Sequence, residues 1–131
     1  MKIAFVCVEN SCRSQIAEAL AKKMFPQAGM EFVSAGTNPA ESVDTGAIQF
    51  LKQDEINWNG KPKFFSEIGN PDILVTMGCD VECPYIPGAR IIEWDILDPK
   101  GKKIAEYRQV AQKIKDKLLQ LVDKLNLLNS N

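Results

Sequence analysis

The sequence predicts an α/β fold in which helices cover both faces of a parallel sheet, and three observations carry that reading. Short apolar runs alternate with segments of helical periodicity, and residues 72–77 form the continuous apolar run typical of a strand buried on both faces. The chain then closes on one long amphipathic stripe. Such alternation implies right-handed crossovers, with ligands bound beyond the carboxyl ends of the strands. That rim would gather Cys7, Ser34, Cys79 and the loop from Asp95 to Asp98.

The first strand is Ile3-Ala4-Phe5-Val6, followed by a helix beginning near Ser14. Ile16, Ala17, Leu20, Ala21 and Met24 share its inner face, and it ends before Phe25-Pro26. Residues 31–35 read as a short strand, and Gly36-Thr37-Asn38-Pro39 as a turn. Residues 43–54 return to helix with Ala47, Ile48 and Leu51 buried, after which Lys61-Pro62-Lys63-Phe64-Phe65 is a poorly patterned connection. The strand at 72–77 stops at Gly78, and a further strand at 90–94 leads into a loop marked by Pro99 and Gly101. From 104 to about 128, Tyr107, Val110, Ala111, Ile114, Leu118, Leu121 and Leu125 line one face of a long helix.

The 131 residues suit one domain over 1–131, and 45% apolar with 25% charged residues is ordinary for a globular chain. A net charge of −1 supplies no global positive field, so nucleic-acid and membrane partners are not expected and anion binding has to be local. The N-terminal apolar run is too short for a signal peptide and no stretch could span a bilayer, which points to the cytoplasm. In a reducing compartment four cysteines favour catalysis or metal binding over structural disulfides. The absence of histidine removes Cys-His and Ser-His-Asp catalysis and mixed Cys/His zinc sites. Proton transfer falls to carboxylates, tyrosine, lysine or water.

The run Cys7-Val8-Glu9-Asn10-Ser11-Cys12-Arg13-Ser14 bridges the first strand and helix. A loop of this kind can point successive backbone N–H groups at a tetrahedral anion, with the positive end of the helix behind it. Arg13 adds a bidentate fork. The same setting favours the thiolate of Cys7, the nucleophilic form. Asn10 and Ser11 can hold the loop, and Ser14 can cap the helix or donate to the sulfur. The bland alternative is a buried strand cysteine beside a surface arginine.

With these residues in hand, the chain resembles the low-molecular-weight protein tyrosine phosphatase superfamily, and within it the arsenate reductases coupled to thioredoxin or a similar thiol system. The resemblance rests on Cys7 to Ser14, Val33-Ser34-Ala35-Gly36, Val75-Thr76-Met77 and Asp98-Pro99. It implies a four-stranded parallel sheet and a general-acid role for Asp98. A histidine-free enzyme that expels oxygen needs such an acid; Asp95 competes, and only the family's Asp-Pro pattern separates the two. The ordinary reading of Asp98 is a turn-former before proline.

Phosphate-ester hydrolysis needs only Cys7, the cradle, Arg13 and an acid, whereas arsenate reduction also needs two electrons from thiols. Cys79 and Cys83, flanked by Gly78 and Pro84, suit those roles, and one helical turn would bring them near disulfide range. The expected relay runs from Cys7 to Cys79 to Cys83, with an external thiol protein as reductant and no resident cofactor. Three features depart from the family. Related reductases can space the downstream cysteines more widely, Glu9 stands where a small residue is common, and Lys100-Gly101 replaces the tyrosines of the phosphatases. The last favours a small inorganic anion, and the carboxylate of Glu9 must face outward. Cys12 is as readily a packing residue as a partner for Cys7. Other classes are a structural zinc site made by Cys7, Cys12, Cys79 and Cys83, which leaves Arg13-Ser14 unexplained, and a binding module, which would not need both Cys7 and Arg13. The charged face of the last helix reads as solvated surface, and Trp58, Trp94 and Tyr85 receive no role.

Overall fold

Alternation within the first strand decides the layering. In β1 (Lys2–Cys7), Ile3 and Phe5 face one side and Ala4 and Val6 the other, and all four are fully buried. This strand is therefore central, flanked by β2 (Glu31–Gly36) and β3 (Ile73–Met77), while β4 (Arg90–Trp94) pairs with β3. All pairings are parallel and the order is β2-β1-β3-β4. The computed structural model describes residues 1–26, 29–78 and 86–129.

Among the described residues the α-helices are α1 (Arg13–Met24), α2 (Thr45–Gln53) and α3 (Ile104–Asn129). All three contribute to one large core on the Ile3 and Phe5 side, where Ile16, Leu20, Leu51, Ile114 and Leu118 close over the sheet. Phe5 sits at its centre, with ring centroids 6.3 Å from Phe32 and 5.8 Å from Trp94. The opposite face carries a smaller cluster of Ala4, Val6, Ala35, Leu74 and Ile68, against which, among the described residues, the 3-10 turn at Phe65–Glu67 lies. Both faces are thus covered, unequally. Among the described residues no helix is long and apolar enough to cross a membrane.

Three local expectations change. In α2 the buried residues are Ala47, Phe50 and Leu51, and Ile48 is only half-buried, because the helix begins at Thr45 behind an Asp44 cap and so turns a different edge inward. In α1 the first helical residue is Arg13, and Cys12 occupies the cap position without a side-chain bond. Ser34 pairs with Phe5 in the body of the sheet, so Gly36, opposite Cys7, marks the rim.

Candidate active site

β1 ends at Cys7 and α1 starts at Arg13, so residues 8–12 must turn the chain from one layer to the next. Every carbonyl along that turn is engaged on its outer side. Those of Cys7, Val8, Glu9 and Ser11 accept from the backbone N–H groups of Thr37, Asn38, Ala40 and Asp44 at 3.4, 2.8, 2.9 and 2.8 Å. The Asn10 carbonyl accepts from Gln15 Nε2 at 3.0 Å, and that of Cys12 from the Ile16 N–H at 2.9 Å. With six consecutive carbonyls held outward, the N–H edge of the loop is left for the pocket, the arrangement of an anion nest.

Asn10 makes this path possible. Its φ of 51° lies in the left-handed region, which asparagine enters more readily than most residues. Its fully buried amide makes three hydrogen bonds: Nδ2 donates to Ser14 Oγ at 2.8 Å, and Oδ1 accepts from the Lys63 N–H at 2.9 Å and Gln15 Nε2 at 3.1 Å. Gln15 also donates to the Lys61 carbonyl at 3.1 Å and accepts from Trp58 Nε1 at 2.8 Å. Gly36 closes the back of the loop, since a Cβ there would stand 2.6 Å from the Val8 carbonyl oxygen.

Cys7 Sγ lies at the pocket floor, 2.9 Å from Ser14 Oγ. Asn10 already donates to that oxygen, so the serine proton is available to the sulfur, and of the two roles open to Ser14 this is the one its position suits. The pocket has a volume of about 270 Å³ and is lined by Cys7, Val8, Glu9, Ser11, Cys12, Arg13 and Asp98. Arg13 is anchored by Nη1 donating to the Ile96 carbonyl at 3.0 Å, and its Nη2 stands 3.9 Å from Asp98 Oδ2. Gly78, at the end of β3 with φ +70°, lets the guanidinium lie close, for a Cβ would come within 2.6 Å of Nη1.

Asp98 reaches the pocket and Asp95 does not line it. The Lys100 N–H donates to Asp98 Oδ1 at 3.1 Å, and Lys100 Nζ meets Glu9 Oε2 at 2.8 Å. Glu9 therefore turns outward, as the sequence required, but still borders the opening. Cys12 is buried, and burial pushes its thiol far above the ordinary range. The charges of Asp98, Asp44 and Cys7 act in the same direction against Arg13. Cys12 is thus held as a neutral thiol, while its backbone belongs to the nest.

Cys79 and Cys83 lie outside the described residues, so neither the relay geometry nor the four-cysteine zinc alternative is measured here. Ser34, expected at the rim, instead donates to Glu18 Oε1 at 2.6 Å; this buried carboxylate also meets Lys22 at 2.7 Å and Lys63 at 3.8 Å. Sequence reasoning missed Gln15, Trp58, Lys61 and Lys63. Gln15 stands on a helix with no local mark, and its partners come from a connection without periodic pattern.

Comparison with known proteins fits this geometry. Residues 2–130 match the family described as low molecular weight phosphotyrosine protein phosphatase. An arsenate reductase of Staphylococcus aureus is 31% identical over 119 residues, covering 86% of this chain and 89% of that protein. The crystal structure of an arsenate reductase from Archaeoglobus fulgidus superposes with a TM-score of 0.80 at 31% identity, over 92% of this chain and 98% of the other. A thioredoxin-dependent arsenate reductase from Corynebacterium glutamicum gives 0.77 at 27% identity, over 96% of this chain and 61% of the other. From its strand order, its outward-held loop carbonyls and a match spanning nearly its whole length, this chain belongs to the low molecular weight phosphotyrosine protein phosphatase family.

Proposed function

We propose that this protein reduces arsenate to arsenite through a cysteine relay, as one domain covering residues 1–131. The observation that carries the proposal is the nest of residues 8–12, its carbonyls all held outward, with Cys7 at its floor and Arg13 and Asp98 at its wall. The resemblance to proteins named arsenate reductases supports the choice of oxyanion.

In the proposed sequence the nest N–H groups of residues 8–13, including those of Asn10, Ser11 and Cys12, together with Arg13, bind the tetrahedral oxyanion. Ser14 steadies the Cys7 thiolate. Cys7 attacks arsenic, an S–As bond forms, and an arsenate oxygen leaves as water on accepting a proton from Asp98. The Cys79 thiolate then attacks Cys7 Sγ. The S–As electron pair passes to arsenic, which departs as arsenite, and a Cys7–Cys79 disulfide carries the two-electron oxidation. Cys83 attacks Cys79, releases the Cys7 thiolate and leaves a Cys79–Cys83 disulfide for reduction by a thioredoxin-like thiol protein in a reducing compartment such as the cytoplasm.

Phosphate-ester hydrolysis is the second reading, favoured because Cys7, Arg13 and Asp98 already line one pocket and suffice for it. One assay separates the two. Arsenite formation is followed with thioredoxin, its reductase and a nicotinamide reductant, beside hydrolysis of an aryl phosphate. Cys7→Ser should abolish both activities and leave the fold intact. Cys79→Ser and Cys83→Ser should each stop arsenite turnover and spare ester hydrolysis. Undiminished arsenite production in both downstream variants would rule out the relay.

A further inference from the structure

The rim of the pocket holds a charge pair that the relay does not use. Glu9 belongs to the oxyanion loop and Lys100 to the loop bearing Asp98, 91 residues apart in sequence, yet Nζ and Oε2 meet at 2.8 Å. Glu9 lines the pocket, and its carboxylate, turned outward to Lys100, borders the opening through which a tetrahedral anion enters. Unpaired, it would oppose that anion. The bond to Glu9 raises the Lys100 ammonium above its ordinary range, so the cation persists throughout the neutral region. The two side chains are partly exposed, 48% and 41%, and an exposed pair of this kind adds little to fold stability. Its effect is on what the opening admits.

We propose that the Glu9–Lys100 pair is a specificity-determining strap across the pocket mouth. Closed, it cancels the Glu9 charge and leaves room for a free inorganic oxyanion. A phosphate ester carrying an aryl or peptide group must displace it. The proposal rests on the oxyanion-binding role given to this pocket and deepens it. Lys100 acts in two separable ways: its ammonium pairs with Glu9, while its backbone N–H holds Asp98 Oδ1 at 3.1 Å. Substitution of the side chain removes only the first, which separates binding from catalysis.

The test uses the full chain and three variants, Lys100→Ala, Glu9→Gln and the double substitution. Inorganic phosphate binding is measured by calorimetry, and kcat and KM are measured for arsenate and for an aryl phosphate. Lys100→Ala should weaken phosphate binding and raise the arsenate KM roughly fivefold, the order expected for one uncompensated carboxylate near a divalent anion in a hydrated mouth. The kcat for arsenate should be kept, because the Asp98 contact survives. The double variant should recover phosphate affinity and raise kcat/KM for the aryl ester relative to arsenate. Glu9→Gln alone should bind phosphate at least as well as the unaltered protein. Phosphate affinity within about twofold of the unaltered protein in Lys100→Ala, or a double variant as impaired as the single one, overturns the strap. If the unaltered protein makes no arsenite, the reductase reading fails alone, because phosphate binding and ester turnover still judge the strap.

Discussion

Gly78 illustrates how a residue far from the nucleophile in sequence sets the geometry around it. Its φ of +70° admits glycine freely, and its missing Cβ gives the Arg13 guanidinium its place against the Ile96 carbonyl. In Gly78→Ala the backbone strain should cost about 1 to 2 kcal/mol. The methyl group also has to push Nη1 aside, and a displacement near 1 Å at a positioned group can cost about 100-fold in turnover. Urea denaturation and kcat/KM for an aryl phosphate measure the two effects separately. A stability loss with kcat/KM intact would show that Arg13 does not depend on this contact. The motif from Cys7 to Ser14 was legible because its residue types and spacing are local. Gly78 read only as the end of a strand, since nothing in the sequence says that an arginine 65 residues earlier packs over it.

At the scale of elements, the loop is held from outside by the segment that enters α2. Asp44 donates its N–H to the Ser11 carbonyl, caps α2 by accepting from the Ala47 N–H at 3.2 Å, and accepts from Tyr107 Oη at 2.5 Å. The nest, α2 and α3 therefore meet at one residue: its backbone N–H holds the loop, and its carboxylate joins the two helices. Burial and the bond to Asp44 push the Tyr107 phenol well above its ordinary range. The folded protein thus keeps the phenolic proton where the unfolded chain loses it. This stabilisation is complete below about pH 10, the unfolded phenol value, and declines as pH rises further. Tyr107→Phe should cost about 1.5 to 3 kcal/mol at pH 8, as for a hydrogen bond to a charged group. The gap to the unaltered protein should narrow between about pH 10 and 11. Chemical denaturation across that range measures it, and a constant gap would show that the phenol does not titrate with unfolding. Tyr107 was legible as a core position of the last helix, because its 3.6-residue stripe is written locally. Its hydroxyl partner was not, for Asp44 lies in another element.

The whole molecule depends on one dominant core. Phe5 is fully buried between Phe32 and Trp94, on the strand that ends at the nucleophile. Phe5→Ala should lose about 3 to 5 kcal/mol, a large share of the roughly 5 to 15 kcal/mol that hold a domain together. Equilibrium unfolding by circular dichroism tests this, and a loss below about 1 kcal/mol would mean that the sheet and helices close over the gap. The apolar runs of β1 and β3 made this core readable in advance. Pattern and composition determined the α/β class, the parallel strands, the long terminal helix and the site of the oxyanion loop, because helical and strand periodicities are local properties. Tertiary structure alone decided which partners hold the loop: Gly36, Gln15, Trp58, Lys63 and Asp44 converge on it, and Lys100 meets Glu9 across the opening. Hydrogen bonds and ion pairs between distant segments leave no period in a sequence. Their geometry exists only after the crossovers have stacked the layers.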